Sequence, residues 1–338
     1  MAVAARRWLA AILAALVIAA GPAGALEPVA DFGANPGELD LFVHVPSGHA
    51  PGGAMVVALH GCTQSAADFD DETGLVALAE AVPFVLLLPQ QRAANNPERC
   101  FNFFRRQDNR PGRGESASIR QMVADGRQRF GIDPDRVYVL GLSAGGSMTA
   151  VLLANYPDVF DAGAIVAGTP FDCNRPGFWT WGMWWWLRLV MGDAAAASFA
   201  CGILGPSPID RRPEDWGDAV RAVAGTAPAR WPRVSLWQGA ADDVVDPANQ
   251  RELVEQWTNV HGLDLAPERR EAAGAVVHEV HGAGPTAAVE TWRIRAFPHA
   301  LAVDPTAEPE PCGVAAPYLE PAELCTVRRI ASFWGLVP

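Results

Sequence analysis

Gly141-Leu142-Ser143-Ala144-Gly145 has the form G-x-S-x-G. A serine between two glycines at a strand-to-helix turn is held with its hydroxyl lifted clear of the backbone, the posture a nucleophile needs. The context fits, since the apolar run Arg136–Gly141 leads into it and a helical pattern, Ala144–Asn155, follows. Serine attacks only when a base takes its proton, and that base needs a carboxylate to orient it. On a strand–turn–helix scaffold the acid and the histidine follow the serine in the chain. Asp242 and Asp243 stand just past the apolar run Arg233–Gln238 and the turn Gly239-Ala240-Ala241, and His299 stands just past Thr291–Phe297. Such a set performs acyl transfer, whose oxyanion must be met by fixed N–H groups. Ala144, next to the serine, supplies one. The second is expected from His60-Gly61-Cys62-Thr63, where Gly61 permits unusual backbone geometry and Cys62 or Thr63 presents the amide.

The other histidines fit the base role less well. His261 falls in a helical pattern and reads as a surface residue. His278 and His281 lie three apart in an expected strand, so they point to opposite faces and share neither a metal nor the base role.

These loops need a scaffold, and the chain shows one. Leu41–Pro46, Ala54–His60, Phe84–Pro89, Arg136–Gly141, Ala162–Ala167, Arg233–Gln238 and Thr291–Phe297 read as strands, several of them nearly continuous Val, Ile and Leu. Such runs suit a largely parallel sheet covered on both faces. Helical patterns fill the gaps at Ala66–Ala81, Ser116–Phe130, Ala144–Asn155, Ala248–His261 and Thr326–Trp334, with Ser65 and Ser116 or Ser118 as N-caps. The alternation predicts an α/β fold with helices on both faces. Phe171–Trp231, rich in Trp, Pro and Gly, interrupts it and reads as an insertion that covers the ligand crevice.

Composition narrows the chemistry further. The 338 residues are 50% hydrophobic, enough for a large core, and the expected organisation is a single domain over 26–338. All 26 basic positions are Arg. Without lysine, Schiff-base catalysis, a Walker A loop and a kinase site are excluded. A net charge of −12 argues against a nucleic-acid partner. Arg6-Arg7, the apolar run Trp8–Ala20 and Ala23-Gly24-Ala25 read as a signal peptide cleaved after Ala25, leaving no membrane span and placing the protein in the periplasm or outside the cell. There the six cysteines are expected to pair. Fifteen pairings are possible; the local ones are Cys312 with Cys325 and Cys173 with Cys201, leaving Cys62 for Cys100. Each such loop contributes about 3 kcal/mol in the chain-entropy view. No Cys-x-x-Cys spacing favours a metal, and no metal or cofactor is expected.

The stretches LHGCTQSAADFD, LLLPQQRAANNPERCFNFF, DPDRVYVLGLSAGGSMTAVLLANYPDVFDAGAIVAGTPF, WPRVSLWQGAADDVVDPANQRELVEQW, FPHALAVDP and CTVRRIASFWGL together resemble the secreted polyhydroxybutyrate depolymerase and feruloyl/acetylxylan esterase group of the α/β-hydrolase superfamily. The polyhydroxybutyrate depolymerase branch is the more similar. The resemblance implies an α/β-hydrolase fold and a secreted serine esterase acting on short hydroxyalkanoate esters, with release of feruloyl or acetyl groups from polysaccharide as the alternative. It implies Ser143 as nucleophile, Asp242 as acid with Asp243 as the neighbouring choice, His299 as base, and Cys62 and Ala144 as oxyanion donors. Three departures stand out. Phe101 and Phe104 occupy positions where the group usually has tryptophans that contact substrate, Pro298 precedes the histidine where glycine is usual, and the segment with Trp179, Trp181, Trp184, Trp185 and Trp186 is unlike the usual connection. Trp184 and Trp185 are expected either to pack the insertion or to dock on a hydrophobic substrate surface. The chain is expected to act as a monomer. A peptidase and a non-catalytic polymer-binding module are the remaining alternatives.

Overall fold

A computed structural model describes residues 26–175, 181–284, 287–307 and 311–337. The expected signal peptide, residues 1–25, lies outside the described residues. The centre is a ten-stranded sheet built from β1 (Glu27–Pro28), β2 (Asp40–His44), β3 (Ala54–Leu59), β4 (Phe84–Gln90), β5 (Val137–Leu142), β6 (Ala162–Val166), β7 (Arg233–Gly239), β8 (Arg269–Ala273), β9 (Val276–His281) and β10 (Val289–Ile294), in the order β1-β2-β4-β3-β5-β6-β7-β10-β9-β8. From β4 to β10 the pairs are parallel, and antiparallel strands close both edges.

Alternate residues of β3 show how the sheet serves two cores. Met55, Val57 and Leu59 face one cluster, with Met122 of α3 (Gly114–Phe130), Leu152 of α4 (Ala144–Asn155), Trp216 of α6 (Pro213–Ala224) and Trp257 of α7 (Ala248–His261). Ala54, Val56 and Ala58 face the other, with Phe69 of α1 (Ala66–Thr73), Leu78 of α2 (Leu75–Ala81) and Trp334 of α8 (Thr326–Trp334). Burial on both sides is why these strands read as unbroken apolar runs. This is the α/β-hydrolase architecture.

The structure departs from the sequence reading at several elements. The expected helix Ala66–Ala81 is two helices, because Gly74 takes φ 78°, and a Cβ there would stand 2.7 Å from the Gly313 nitrogen. Ser65 caps the first through a capping box with Asp68. Helix α3 begins at Gly114, and Ser116 does not cap it but donates its hydroxyl to the Arg110 carbonyl at 2.9 Å. The last expected strand starts and ends earlier, at Val289–Ile294. Strand β8 went unread because every residue in it is exposed and no alternation marks it. Within the Trp-rich segment, α6 carries the ordinary helix signals of Pro at its start and acids in its first turn. It is core rather than cover: Trp216 and Val220 are fully buried. Before it, α5 (Trp181–Ala200) is broken at Gly192, whose φ is 85°. Among the described residues no helix is long and apolar enough to cross a membrane. Three disulfides, Cys62–Cys100, Cys173–Cys201 and Cys312–Cys325, join the expected partners.

Candidate active site

Ser143 stands between the end of β5 and the start of α4 with φ 58° and ψ −119°, a strained conformation for a residue with a side chain. Its flanking glycines are there because nothing larger fits. A Cβ on Gly145 would stand 2.2 Å from the Leu59 carbonyl oxygen, and one on Gly141 would stand 2.3 Å from Gly145. The Ser143 N–H is anchored to the Val166 carbonyl at 2.9 Å, while the residue itself stays half-buried and reaches the pocket. Ala144 follows in the first helical turn, where N–H groups lack intrahelical acceptors and the helix dipole favours negative charge.

The facing loop leaves β3 at His60. This side chain is fully buried, and burial pushes its pKa down to about 4, so the ring is neutral. Nδ1–H donates to the Gly61 carbonyl at 2.7 Å and Nε2 accepts from the Gln91 N–H at 3.1 Å, which fixes the tautomer. Cys62 is tied to Cys100, and the Thr63 N–H, on a residue with φ 66°, donates to the Glu98 carbonyl at 2.7 Å. The loop that buttresses it is held in turn by Glu115. This buried carboxylate accepts from Gln91 Nε2 at 2.6 Å, the Asn102 N–H at 2.7 Å and Asn102 Nδ2 at 2.5 Å. Burial, with the nearby Asp108 charge, pushes its pKa up to about 7.

The acid and the histidine meet across β7 and β10. Asp242 Oδ2 accepts from His299 Nδ1 at 2.8 Å and from Gln238 Nε2 at 2.8 Å, and Oδ1 accepts from the N–H groups of Val244 and Val245 at 2.9 and 2.8 Å. Every lone pair the carboxylate offers inward is engaged, which fixes its orientation. Asp243 points to solvent. Gly239 lets the two loops touch, since a Cβ there would stand 2.3 Å from the Phe297 oxygen and 2.4 Å from the Pro298 oxygen. Beyond His299, β11 (Leu301–Val303) pairs with β12 (Leu319–Pro321) and brings Tyr318 edge-on to the imidazole at 6.1 Å.

Ser143, Ala144, Cys62 and His299 share one cavity of 480 Å³, walled by Phe103, Phe104, Ala194, Ala197, Leu204 and Val244. Phe104 lines this cavity, but Phe101 corrects the sequence reading. It is fully buried, its ring 5.0 Å from that of His60, and it does not line the cavity. Glu115 grips both the backbone and the side chain of Asn102, so the residue before it turns inward and the two after it turn to the pocket. The side chains of Trp184 and Trp185 lie outside the described residues. His261 is half-buried, its Nε2 3.0 Å from the Pro232 carbonyl oxygen, rather than a free surface group. His278 pairs with Glu290 at 2.9 Å, and His281 is fully buried. Asp210, Glu252 and Glu255 form the one carboxylate cluster of metal-ligating spacing among the described residues, and Arg251 already pairs with all three.

Comparison with known proteins gives the family. The family described as Esterase PHB depolymerase matches residues 40–176. Poly(3-hydroxyalkanoate) depolymerase C of Paucimonas lemoignei is 39% identical over 323 residues, covering 95% of this chain and 73% of that protein. The chain belongs to the PHB depolymerase esterase family. Like other members it is a carboxylic ester hydrolase. Feruloyl esterase B of Neurospora crassa is 32% identical and covers 75% of this chain and 80% of its own length. The solved acetyl xylan esterase from Aspergillus awamori shares the fold with a TM-score of 0.73 at 23% identity, over 93% of this chain and 100% of that one. The sequence reading of this esterase missed the contributions of Glu115 and Tyr318. Neither carries a local signal, since each acts only through a loop that tertiary contacts bring to the serine.

Proposed function

We propose that this esterase cleaves short hydroxyalkanoate polyesters and their oligomers through an acyl-enzyme on Ser143. His299 takes the Ser143 proton as the hydroxyl oxygen attacks the ester carbon, and Asp242 holds the imidazole in the tautomer that can accept it. The N–H groups of Cys62 and Ala144 receive the developing oxyanion. His299 then returns the proton to the leaving alkoxide, and its neutral form activates water for deacylation. Side chains and water suffice for this route. The observation that carries it is the 2.8 Å bond between Asp242 and His299 at the wall of the same cavity that holds Ser143.

The substrate class rests on the walls. An apolar cavity favours an aliphatic acyl unit. Leu204, which lines the cavity, is exposed, and so are Trp186, Leu189, Val190 and Met191 on the half of α5 before the break at Gly192, with Ala194 just beyond that break in the lining. Such a face suits a water-insoluble polyester better than a hydrated polysaccharide. Release of feruloyl or acetyl groups remains the second reading, favoured by the relatives that carry those names. Residues 26–338 are read as a single monomeric catalytic domain, exported by the segment before it; three disulfides suit an oxidising compartment outside the cytoplasm.

The test is hydrolysis of 3-hydroxybutyrate oligomers, short nitrophenyl esters and methyl ferulate by the protein beside Ser143→Ala. Oligomer cleavage lost in the variant is the expected result. Ferulate cleavage alone would move the substrate to the polysaccharide esters, and activity that survives in Ser143→Ala would overturn the nucleophile.

A further inference from the structure

Gln64 follows the oxyanion loop and precedes the cap of α1. It is 5% exposed and lines the catalytic cavity. Its two amide ends have different circumstances. Oε1 accepts from the Gly61 N–H at 2.8 Å. Nε2 is buried and has no hydrogen-bond partner among the described residues. Rotating the amide by half a turn does not cure this, because it would set Nε2 against the Gly61 N–H, donor to donor. A buried amide donor left without an acceptor is costly, and native structures keep few of them. This one belongs to a side chain that lines the catalytic cavity, where a ligand oxygen can meet it. A Cβ built on Gly61 would stand 2.9 Å from Gln64 Oε1 and 3.5 Å from Ser143 Cβ, so the amide and the serine flank the same glycine.

We infer that Gln64 Nε2 is a third hydrogen-bond donor to the substrate's acyl oxygen, beside the N–H groups of Cys62 and Ala144. The two ends of one side chain then have two tasks. Oε1 holds the Gly61 peptide so that the next N–H faces the cavity, and Nε2 touches the oxygen as it gains charge. A donor whose bond strengthens in the tetrahedral state lowers the barrier without tightening the ground state, so its loss falls on kcat rather than KM. The inference rests on Ser143 as the nucleophile.

The deciding experiment follows the side-chain amide protons of Gln64 by NMR in the whole protein, before and after an alkyl boronic acid forms its tetrahedral adduct. A downfield shift of one Gln64 amide proton on adduct formation is expected, and an adduct that forms while both protons stay in place would overturn the inference. If no adduct forms at Ser143, the reading of the nucleophile fails instead, so the two failures are separate. Kinetics supply the second arm. Gln64→Glu keeps an acceptor for Gly61 and loses the donor, whereas Gln64→Met loses both. Each should lower kcat on a nitrophenyl ester about 10²-fold or more with KM little changed. Wild-type kcat in Gln64→Glu would reduce Gln64 to a brace for the loop and overturn its contact with substrate.

Discussion

His60 and Glu115 are buried ionisable neighbours of the oxyanion loop, and burial drives them in opposite directions. Between pH 4.5 and 7 the folded protein holds a proton on Glu115 that the unfolded chain releases, so this group makes folding less favourable as pH rises through that window. His60 does the reverse between pH 4 and 6.5, where the unfolded chain takes up a proton that the folded interior refuses. Over the shared range the two slopes oppose each other. Glu115→Gln removes one of them, so the stability of the variant relative to the parent should rise with pH by about 1.4 kcal/mol per unit across that window. Urea midpoints at several pH values would show it, and parallel curves for the two proteins would mean that Glu115 titrates like an exposed carboxyl. The adjacent acids give a sharper contrast. Asp242→Asn should cost about 10⁴-fold in kcat by leaving His299 in the wrong tautomer, while Asp243→Asn, pointing to solvent, should leave kcat unchanged. Equal effects on steady-state turnover would refute the assignment of the acid.

At the scale of elements, glycines set how closely loops approach. Gly239 ends β7 against the turn that carries His299, and the Phe297 and Pro298 carbonyls fill the space where a side chain would go. Gly239→Ala must push that turn outward or strain it, at a cost of about 1–3 kcal/mol. The expected outcome is a lower melting temperature together with a loss of kcat, because Asp242 and His299 part; a variant with full kcat would show that the turn yields without moving the imidazole. Helix ends follow the same logic. The Ser65 cap was legible, since Ser and Asp three apart form a local box, but the break at Gly74 was not, because the segment around Gly313 that packs against it comes from far along the chain.

At the scale of the whole molecule, an exposed apolar stretch of chain precedes the residues that wall the cavity. Leu189 and Met191 are 73% and 61% exposed on α5 before its break at Gly192, and Ala194 beyond the break lines the cavity. Replacing both with serine should weaken adsorption to a poly(3-hydroxybutyrate) film, read by depletion of protein from solution, with turnover of a soluble nitrophenyl ester retained. Unchanged adsorption would take the polymer surface away from this face.

The sequence by itself determined the parallel sheet, the serine turn and the order of acid and base, because each leaves a local mark: continuous apolar runs, paired glycines, loops at strand ends. It also pointed to the disulfide partners, since few cysteines lie close along the chain. Which of two adjacent aspartates reaches the histidine, which two of three nearby phenylalanines face the cavity, and where Gln64 and Glu115 stand were decided only by the tertiary structure. The reason is physical. A one-residue shift in a loop leaves composition and periodicity unchanged, and only hydrogen bonds to distant chain, such as those from Gln91 and Asn102 to Glu115, decide which way a side chain turns.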